Sequence, residues 1–248
     1  PTVLGKKVEL VVVDNKSDKV EAANAATVLT QKEKVSAVIG SWGSSLSMAG
    51  GPIFAEAKIP AVAVSATNPN VTKGNEYYFR VCFLDSFQGT AGASYAFDTL
   101  KAKKVAIIRE VSNDYSKGLA DNFKAAFEKV HGKGSVVAME SHGPKDQDFS
   151  AQLTKTIAAK PDFIFVPENY SFAALIVPQA RDLGYKGPLM GSDAWGSAEL
   201  FNLCGKDCVG QYFSTHYTAE GATGKTKEFI DKYKAKYGYV PDDVAALT

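Results

Sequence analysis

Cysteine, histidine and excess charge are all scarce in this sequence, and each shortage removes a class of function. There are three cysteines among 248 residues. Cys82 stands alone, while Cys204-Gly205-Lys206-Asp207-Cys208 either closes a small disulfide loop, as an extracytoplasmic compartment allows, or leaves two thiols. No second cysteine pair or nearby histidine completes a metal set, so no metal is expected. His131, His142 and His216 are scattered, and none sits with a serine or cysteine in a nucleophile motif. A glycine-rich phosphate loop of the dinucleotide or P-loop type is also missing. Together these absences argue against an enzyme and against a cofactor. Lys and Arg number 28 against 27 Asp and Glu, a net charge of +1, which gives no reason to expect nucleic acid or an anionic membrane as partner. No helix-turn-helix is present. No apolar run approaches the roughly 20 residues that span a bilayer, so no membrane insertion of this segment is expected. The sequence opens at Pro1-Thr2-Val3-Leu4-Gly5 without a methionine or an export signal and reads as part of a mature or trimmed polypeptide.

What is present is an ordinary globular composition, 45% hydrophobic and 22% charged, arranged in alternating strand and helix patterns. Val8 to Val13 reads as an apolar strand ended by Asp14-Asn15. Ser17 or Asp18 then caps a helix on which Val20, Ala23, Ala26, Val28 and Leu29 recur at helical spacing. Ser36 to Ile39 is a strand, Ser45 to Ala57 a helix, Pro60 to Val64 a strand, and Tyr77 to Phe83 an extended segment leading out. A helix from Asp85 to Leu100 opens a second series. It has strands at Val105–Ile108, Ser135–Met139, Phe163–Val166 and Leu189–Met190, and an edge strand at Val209–Ser214. Helices lie at Tyr115–Val130, Phe149–Ala158 and Ser171–Leu183. A helix at Thr226–Tyr237 follows, and another begins at Asp242-Asp243. Such repeated βαβ order implies parallel sheets with right-handed crossovers. Crossings near residues 82–86 and 214–218 describe a hinged protein of two lobes, 1–84 with 216–248 and 85–215.

Two hydroxyl-rich loops follow the first lobe's apolar runs, Gly40-Ser41-Trp42-Gly43-Ser44-Ser45 and Val64-Ser65-Ala66-Thr67-Asn68-Pro69. In open parallel sheets, loops leaving the carboxyl ends of strands are where ligands bind. Ser44, Ser65 and Thr67, taken singly, are ordinary helix caps; paired on adjacent strands, they offer hydroxyls, backbone N–H groups and a helix N-terminus to a small carboxylate. Trp42 either covers a ligand there or fills the lobe. In the second lobe Asp193 follows a strand and is either a turn aspartate or a counter-ion for an ammonium group, with Trp195 as an apolar or cation–π wall. Tyr115, and Asn169 and Tyr170 beside Glu168, leave strands at the same edge.

The order of several short motifs resembles the branched-chain-amino-acid type of periplasmic binding protein, the type I solute-binding component of ABC importers. The matching pieces are Leu4-Gly5-Lys6-Lys7-Val8-Glu9-Leu10, Val38-Ile39-Gly40 with Ser44-Ser45, Ser65-Ala66-Thr67-Asn68-Pro69, and Phe79-Arg80 with Asp85 and Gln88-Gly89. Tyr115-Ser116-Lys117-Gly118-Leu119, Asp148-Phe149-Ser150, Pro161-Asp162-Phe163-Ile164, Gln179-Ala180-Arg181 and Gly191-Ser192-Asp193 complete the series. The resemblance implies an α/β fold of two doubly wound parallel-sheet lobes joined by a hinge. Ser44 and Thr67, with backbone around Ser65 and Ala66, would hold a ligand carboxylate, and Asp193 the α-ammonium. Tyr115 would close over the ligand, and Asn169 and Tyr170 fall at a tyrosine-bearing loop. Against that family the chain reads as truncated at both ends, and lobe 1 lacks its first strand and helix.

The function this implies is capture of an amino acid and its delivery to a membrane permease, in the periplasm or at the outer face of the cell membrane, free or lipid-anchored. The alternative is a ligand-sensing receptor or regulatory domain of the same fold, binding an amino acid, amide or other small carboxylate. Trp42, Tyr115, Tyr170, Phe172 and Trp195 suit a bulky apolar or aromatic side chain, whereas Glu168 favours a polar or cationic one.

Overall fold

A computed structural model describes residues 2–248, which form two compact units divided between Cys82 and Phe83. Among these residues no helix is long and apolar enough to cross a membrane.

The first unit opens with a small antiparallel hairpin, β1 (Thr2–Val3) and β2 (Lys6–Lys7). Asp18 caps α1 (Lys19–Thr27) by accepting from the Val20 and Glu21 amides, and a π-helical turn, Val28–Lys32, extends it. Then come β3 (Val38–Ile39), α2 (Ser44–Glu56), β4 (Ala61–Ala63) and β5 (Tyr78–Arg80), with the three strands parallel and in chain order. The core is small: Ala26, Val38, Phe54, Ala61, Ala63, Ala66, Val71 and Tyr78. The strand expected at Val8 to Val13 does not form. Leu10 and Val12 are 82% and 80% exposed, and no described strand pairs with the segment. An apolar run becomes a strand only when a neighbour takes its backbone hydrogen bonds.

The second unit is a five-stranded parallel sheet between two helical layers. Its elements are α3 (Asp85–Asp98), β6 (Val105–Glu110), α4 (Asp114–His131), β7 (Val136–His142), α5 (Ser150–Ala158), β8 (Phe163–Phe165), α6 (Tyr170–Asp182), β9 (Leu189–Gly191), α7 (Ala198–Cys204) and β10 (Tyr212–Phe213). The strands lie in the order β10-β9-β8-β6-β7. That is a doubly wound order whose direction reverses between β6 and β8, and the carboxyl-end crevice at such a reversal is the usual ligand position. Alternate residues of one strand feed opposite faces. Val105, Ile107, Phe163, Phe165 and Met190 pack with Ala93, Leu119, Phe123 and Phe127 of α3 and α4. Ile108, Ile164, Val166 and Leu189 pack with Leu153, Ile176, Val177 and Leu200 on the other face. Burial on both faces explains why these strands read as unbroken apolar runs.

Cys204 and Cys208 form a disulfide, and Cys82 is buried and outside any disulfide. The helix α7, capped by Ser197, was not expected from the sequence. The chain continues through α8 (Gly224–Tyr237) and α9 (Asp243–Leu247). Residues 216–248, expected with lobe 1, group here with the second unit, where His216 stacks on Phe83 with centroids 3.9 Å apart.

Candidate functional site

In the first unit β3 and β4 are parallel neighbours, Val38 opposite Ala61 and Ile39 opposite Val62, so their following loops leave the same edge. Side chains stitch those loops together. The Ser65 hydroxyl donates to the Trp42 carbonyl at 3.1 Å, and the Ser44 hydroxyl accepts from the Asn68 amide at 3.1 Å. Ser44 is the first residue of α2, whose N-cap Gly43 supplies no side-chain acceptor. The opening amides of a helix have no acceptors within it, and the helix dipole adds partial positive charge there. Beside them the Thr67 hydroxyl is fully buried and has no hydrogen-bond partner. A buried orphan hydroxyl is costly unless something meets it, and a carboxylate oxygen does so. Ala66 is fully buried. Trp42 is 39% exposed, so it does not fill the core of its unit.

Arg80, at the end of β5, holds the second loop from its carbonyl side. One guanidinium nitrogen donates to the Ala66 carbonyl at 2.8 Å; another reaches the Asn68 carbonyl at 3.0 Å and the Thr72 hydroxyl at 2.8 Å. Tyr78 serves the first loop, donating to the Gly40 carbonyl at 2.8 Å. Neither residue was singled out from the sequence as part of a site. The Phe79-Arg80 pair was visible only as a motif, because its use depends on carbonyls that lie earlier in the chain.

In the second unit Asn113 caps α4 by accepting from the Tyr115 and Ser116 amides, which sets Tyr115 in the first turn. The Tyr115 hydroxyl donates to Asp193 Oδ1 at 2.5 Å. Asp193 begins a 3-10 turn, Asp193–Trp195, just beyond β9. Its amide donates to Gln88 Oε1 at 3.0 Å, and the Ser214 hydroxyl donates to the same oxygen at 2.7 Å. Asp193 Oδ2 lies 3.9 Å from His216 Nδ1, and Asp243 Oδ2 lies 3.6 Å from that nitrogen. Burial pushes the Asp193 carboxyl above the usual range, against the lowering effect of the Tyr115 hydrogen bond. Burial, with the charges of Asp193 and Asp85, pushes the Tyr115 phenol well up, so it remains a donor. A buried carboxylate with a raised pKa is stabilised by any cation placed against it. Gln88, His216 and Asp243 were not marked from the sequence as site residues; Gln88 was legible only as part of a motif.

Glu168 occupies the reversal between β6 and β8. Its Oε1 accepts from the Glu110 amide across the crevice and from the Ser116 hydroxyl at 2.6 Å, and faces His142 Nε2 at 3.2 Å. Its other oxygen, Oε2, is buried without a hydrogen-bond partner. Asn169 is the N-cap residue of α6 without a side-chain cap bond, and Tyr170 is half-buried against the core. Trp195 was expected as an apolar or cation–π wall. It is 1% exposed, lies in the core, and its ring covers Gly191 so closely that a Cβ there would come within 2.0 Å. Its ring packs in the core of the unit. Phe172 likewise packs on His142 and Phe149.

The family profile described as "Periplasmic binding protein" matches residues 1–248. The chain belongs to that family. An amino acid binding protein of Pseudomonas aeruginosa is 30% identical over 243 residues, covering 96% of this chain and 63% of the relative. The Leu/Ile/Val-binding protein homolog 3 of Brucella melitensis is 30% identical over 237 residues, with 94% and 62% covered. The crystal structure of a leucine binding protein, LivK, of Thermotoga maritima superposes with a TM-score of 0.94 at 42% identity, covering 100% of this chain and 70% of that one. The LivJ substrate binding protein of Streptococcus pneumoniae, solved with isoleucine, gives 0.89 at 38% identity, with 98% and 69% covered. This periplasmic binding protein chain therefore spans somewhat under two thirds of the length of the curated relatives it matches. Fold and family agree with the resemblance seen in its motifs.

Proposed function

We propose that this chain is the ligand-binding part of an extracytoplasmic solute-binding protein that captures an amino acid and hands it to the permease of an ABC importer. The observation that carries the proposal is chemical complementarity. One unit holds a basic-residue-free cradle of hydroxyls and helix amides with a buried, unpartnered Thr67 hydroxyl; the other holds a buried carboxylate, Asp193, fixed by Tyr115 and Gln88. The first suits the α-carboxylate of an amino acid, with Ser44, Ser65, Ala66 and Thr67 as its holders. The second suits the α-ammonium.

A branched aliphatic ligand side chain fits the names carried by the relatives. Trp42, Tyr170 and Asn169 are the residues proposed to meet it. The role is capture without catalysis. The complete protein resides outside the cytoplasm, free or lipid-anchored. A thermal-shift screen of the full-length protein over the amino acids tests this: leucine, isoleucine or valine raises the melting temperature, since a ligand at about 100 times its Kd adds about 2.7 kcal/mol. A screen in which only basic or acidic amino acids stabilise the protein, or none does, contradicts it.

A further inference from the structure

We propose that Glu168 is a positioning residue for the ammonium half-site: through two buried serines it fixes the Tyr115 hydroxyl against Asp193. The inference rests on the amino-acid reading above and deepens it by naming what sets the geometry of that half-site.

The order of the strands makes the problem plain. Tyr115 follows β6 and Asp193 follows β9, and β8 lies between those two strands, parallel to both. The 2.5 Å bond from the Tyr115 hydroxyl to Asp193 Oδ1 therefore joins loops that leave strands two spacings apart, about 10 Å. The segment that leaves β8 stands between them, and Glu168 is in it. Each site residue has a serine beside it in sequence, Ser116 after Tyr115 and Ser192 before Asp193, and both serines are fully buried. Both bond to Glu168. The Ser116 hydroxyl donates to Glu168 Oε1 at 2.6 Å, and the Ser192 hydroxyl donates to the Glu168 carbonyl at a longer 3.4 Å.

The direction of the Ser116 bond is fixed. The Glu110 amide, at the end of β6, donates to the Ser116 oxygen at 3.0 Å, so the one hydroxyl proton of Ser116 goes to Glu168. The same Glu168 oxygen meets the Glu110 amide and lies 3.2 Å from His142 Nε2 of β7. Ser116 and Tyr115 share the first turn of α4, with both amides on the Asn113 side chain, so a displaced Ser116 carries Tyr115 with it. A buried acid is a costly way to gain stability alone. What Glu168 supplies is register: its side chain holds the turn that bears Tyr115, and its carbonyl holds the residue before Asp193. With Tyr115 kept on Oδ1, the ammonium is received at Oδ2.

NMR of the full-length protein with tyrosine carbon-13 labelled at Cζ reads the Tyr115 hydroxyl without any ligand, the signal being assigned by its absence in Tyr115→Phe. Ser116→Ala, which removes the link and leaves Glu168 in place, is expected to move that signal and to weaken L-leucine about five-fold by calorimetry, the scale of one hydrogen bond. Glu168→Met is expected to move the signal in the same direction; where it does not fold, Ser116→Ala decides alone. An unmoved Tyr115 signal in Ser116→Ala overturns the inference even if affinity falls, because the loss then arises by another route. A moved signal with unchanged affinity also overturns it, since the register then has no bearing on the ligand. Failure of the unaltered protein to bind L-leucine, L-isoleucine or L-valine overturns the amino-acid reading and with it the role toward the ammonium, whereas the Tyr115 signal still reads the hold of Glu168 on Tyr115.

Discussion

At the scale of single residues, the groups that shape the half-sites are ones that hold loops still. Arg80 binds three carbonyl-bearing residues and a threonine through one planar fork, which lysine cannot reproduce. Arg80→Lys is expected to weaken amino-acid binding by about 1.5 kcal/mol or more, the scale of a hydrogen bond to a charged group, measured by calorimetric titration. Unchanged affinity would show that the loop keeps its shape without the fork. The His142–Glu168 pair makes a second prediction. Burial disfavours the His142 cation, but the Glu168 hydrogen bond and charge outweigh it and raise the pKa; burial raises that of Glu168. The folded pair holds a proton more firmly than the unfolded chain does. The His142 contribution is therefore full below the ordinary histidine value, about 6.5, and is lost as pH rises through the folded value. Urea unfolding is expected to show stability falling from pH 6 upward, with a flatter profile for His142→Gln. An equally steep decline in that variant would assign the pH dependence to other groups. From the sequence, Asp193, Tyr115, Ser44 and Thr67 could be picked out because they follow apolar runs or cap helices. His216 and Asp243 could not, since their value comes from meeting Asp193, which lies 23 and 50 positions earlier in the chain.

At the scale of elements, strand and helix positions in the second unit followed from apolar runs and helical spacing because every strand is buried on both faces. The same rule failed at Val8 to Val13, where composition favoured a strand but no described neighbour completes a ladder. It also missed α7, whose seven residues are too few to display a period. Close approach between elements was invisible as well, and it sets two glycine positions. At Gly89 of α3 an added Cβ would lie 2.8 Å from the Phe123 backbone nitrogen of α4, so Gly89→Ala pushes two helices apart. At Gly191 the obstacle is the Trp195 ring, which ties the end of β9 to the turn bearing Asp193. Overpacking of this kind costs about 1–3 kcal/mol and sometimes more. Both substitutions are expected to lower the denaturation midpoint, and only Gly191→Ala to weaken ligand binding as well, since it displaces the turn. Equal binding losses for the two would indicate general loosening of the unit.

At the scale of the whole molecule, the family and the α/β architecture were legible in the order of short motifs, and the hydroxyl loops and Asp193 were legible as candidate carboxylate and ammonium partners. The first unit's loops present hydroxyls and amides without a basic side chain aimed at the ligand, and the second unit presents a buried carboxylate. Asp193 is proposed to receive the ammonium. Calorimetric titration of L-leucine into the full-length protein and its Asp193→Asn variant tests it most directly. The predicted result is saturable binding by the unaltered protein and a loss of about 2 kcal/mol or more, roughly 30-fold in Kd, in the variant. Equal affinity in the two proteins, with the variant folded, would contradict the account.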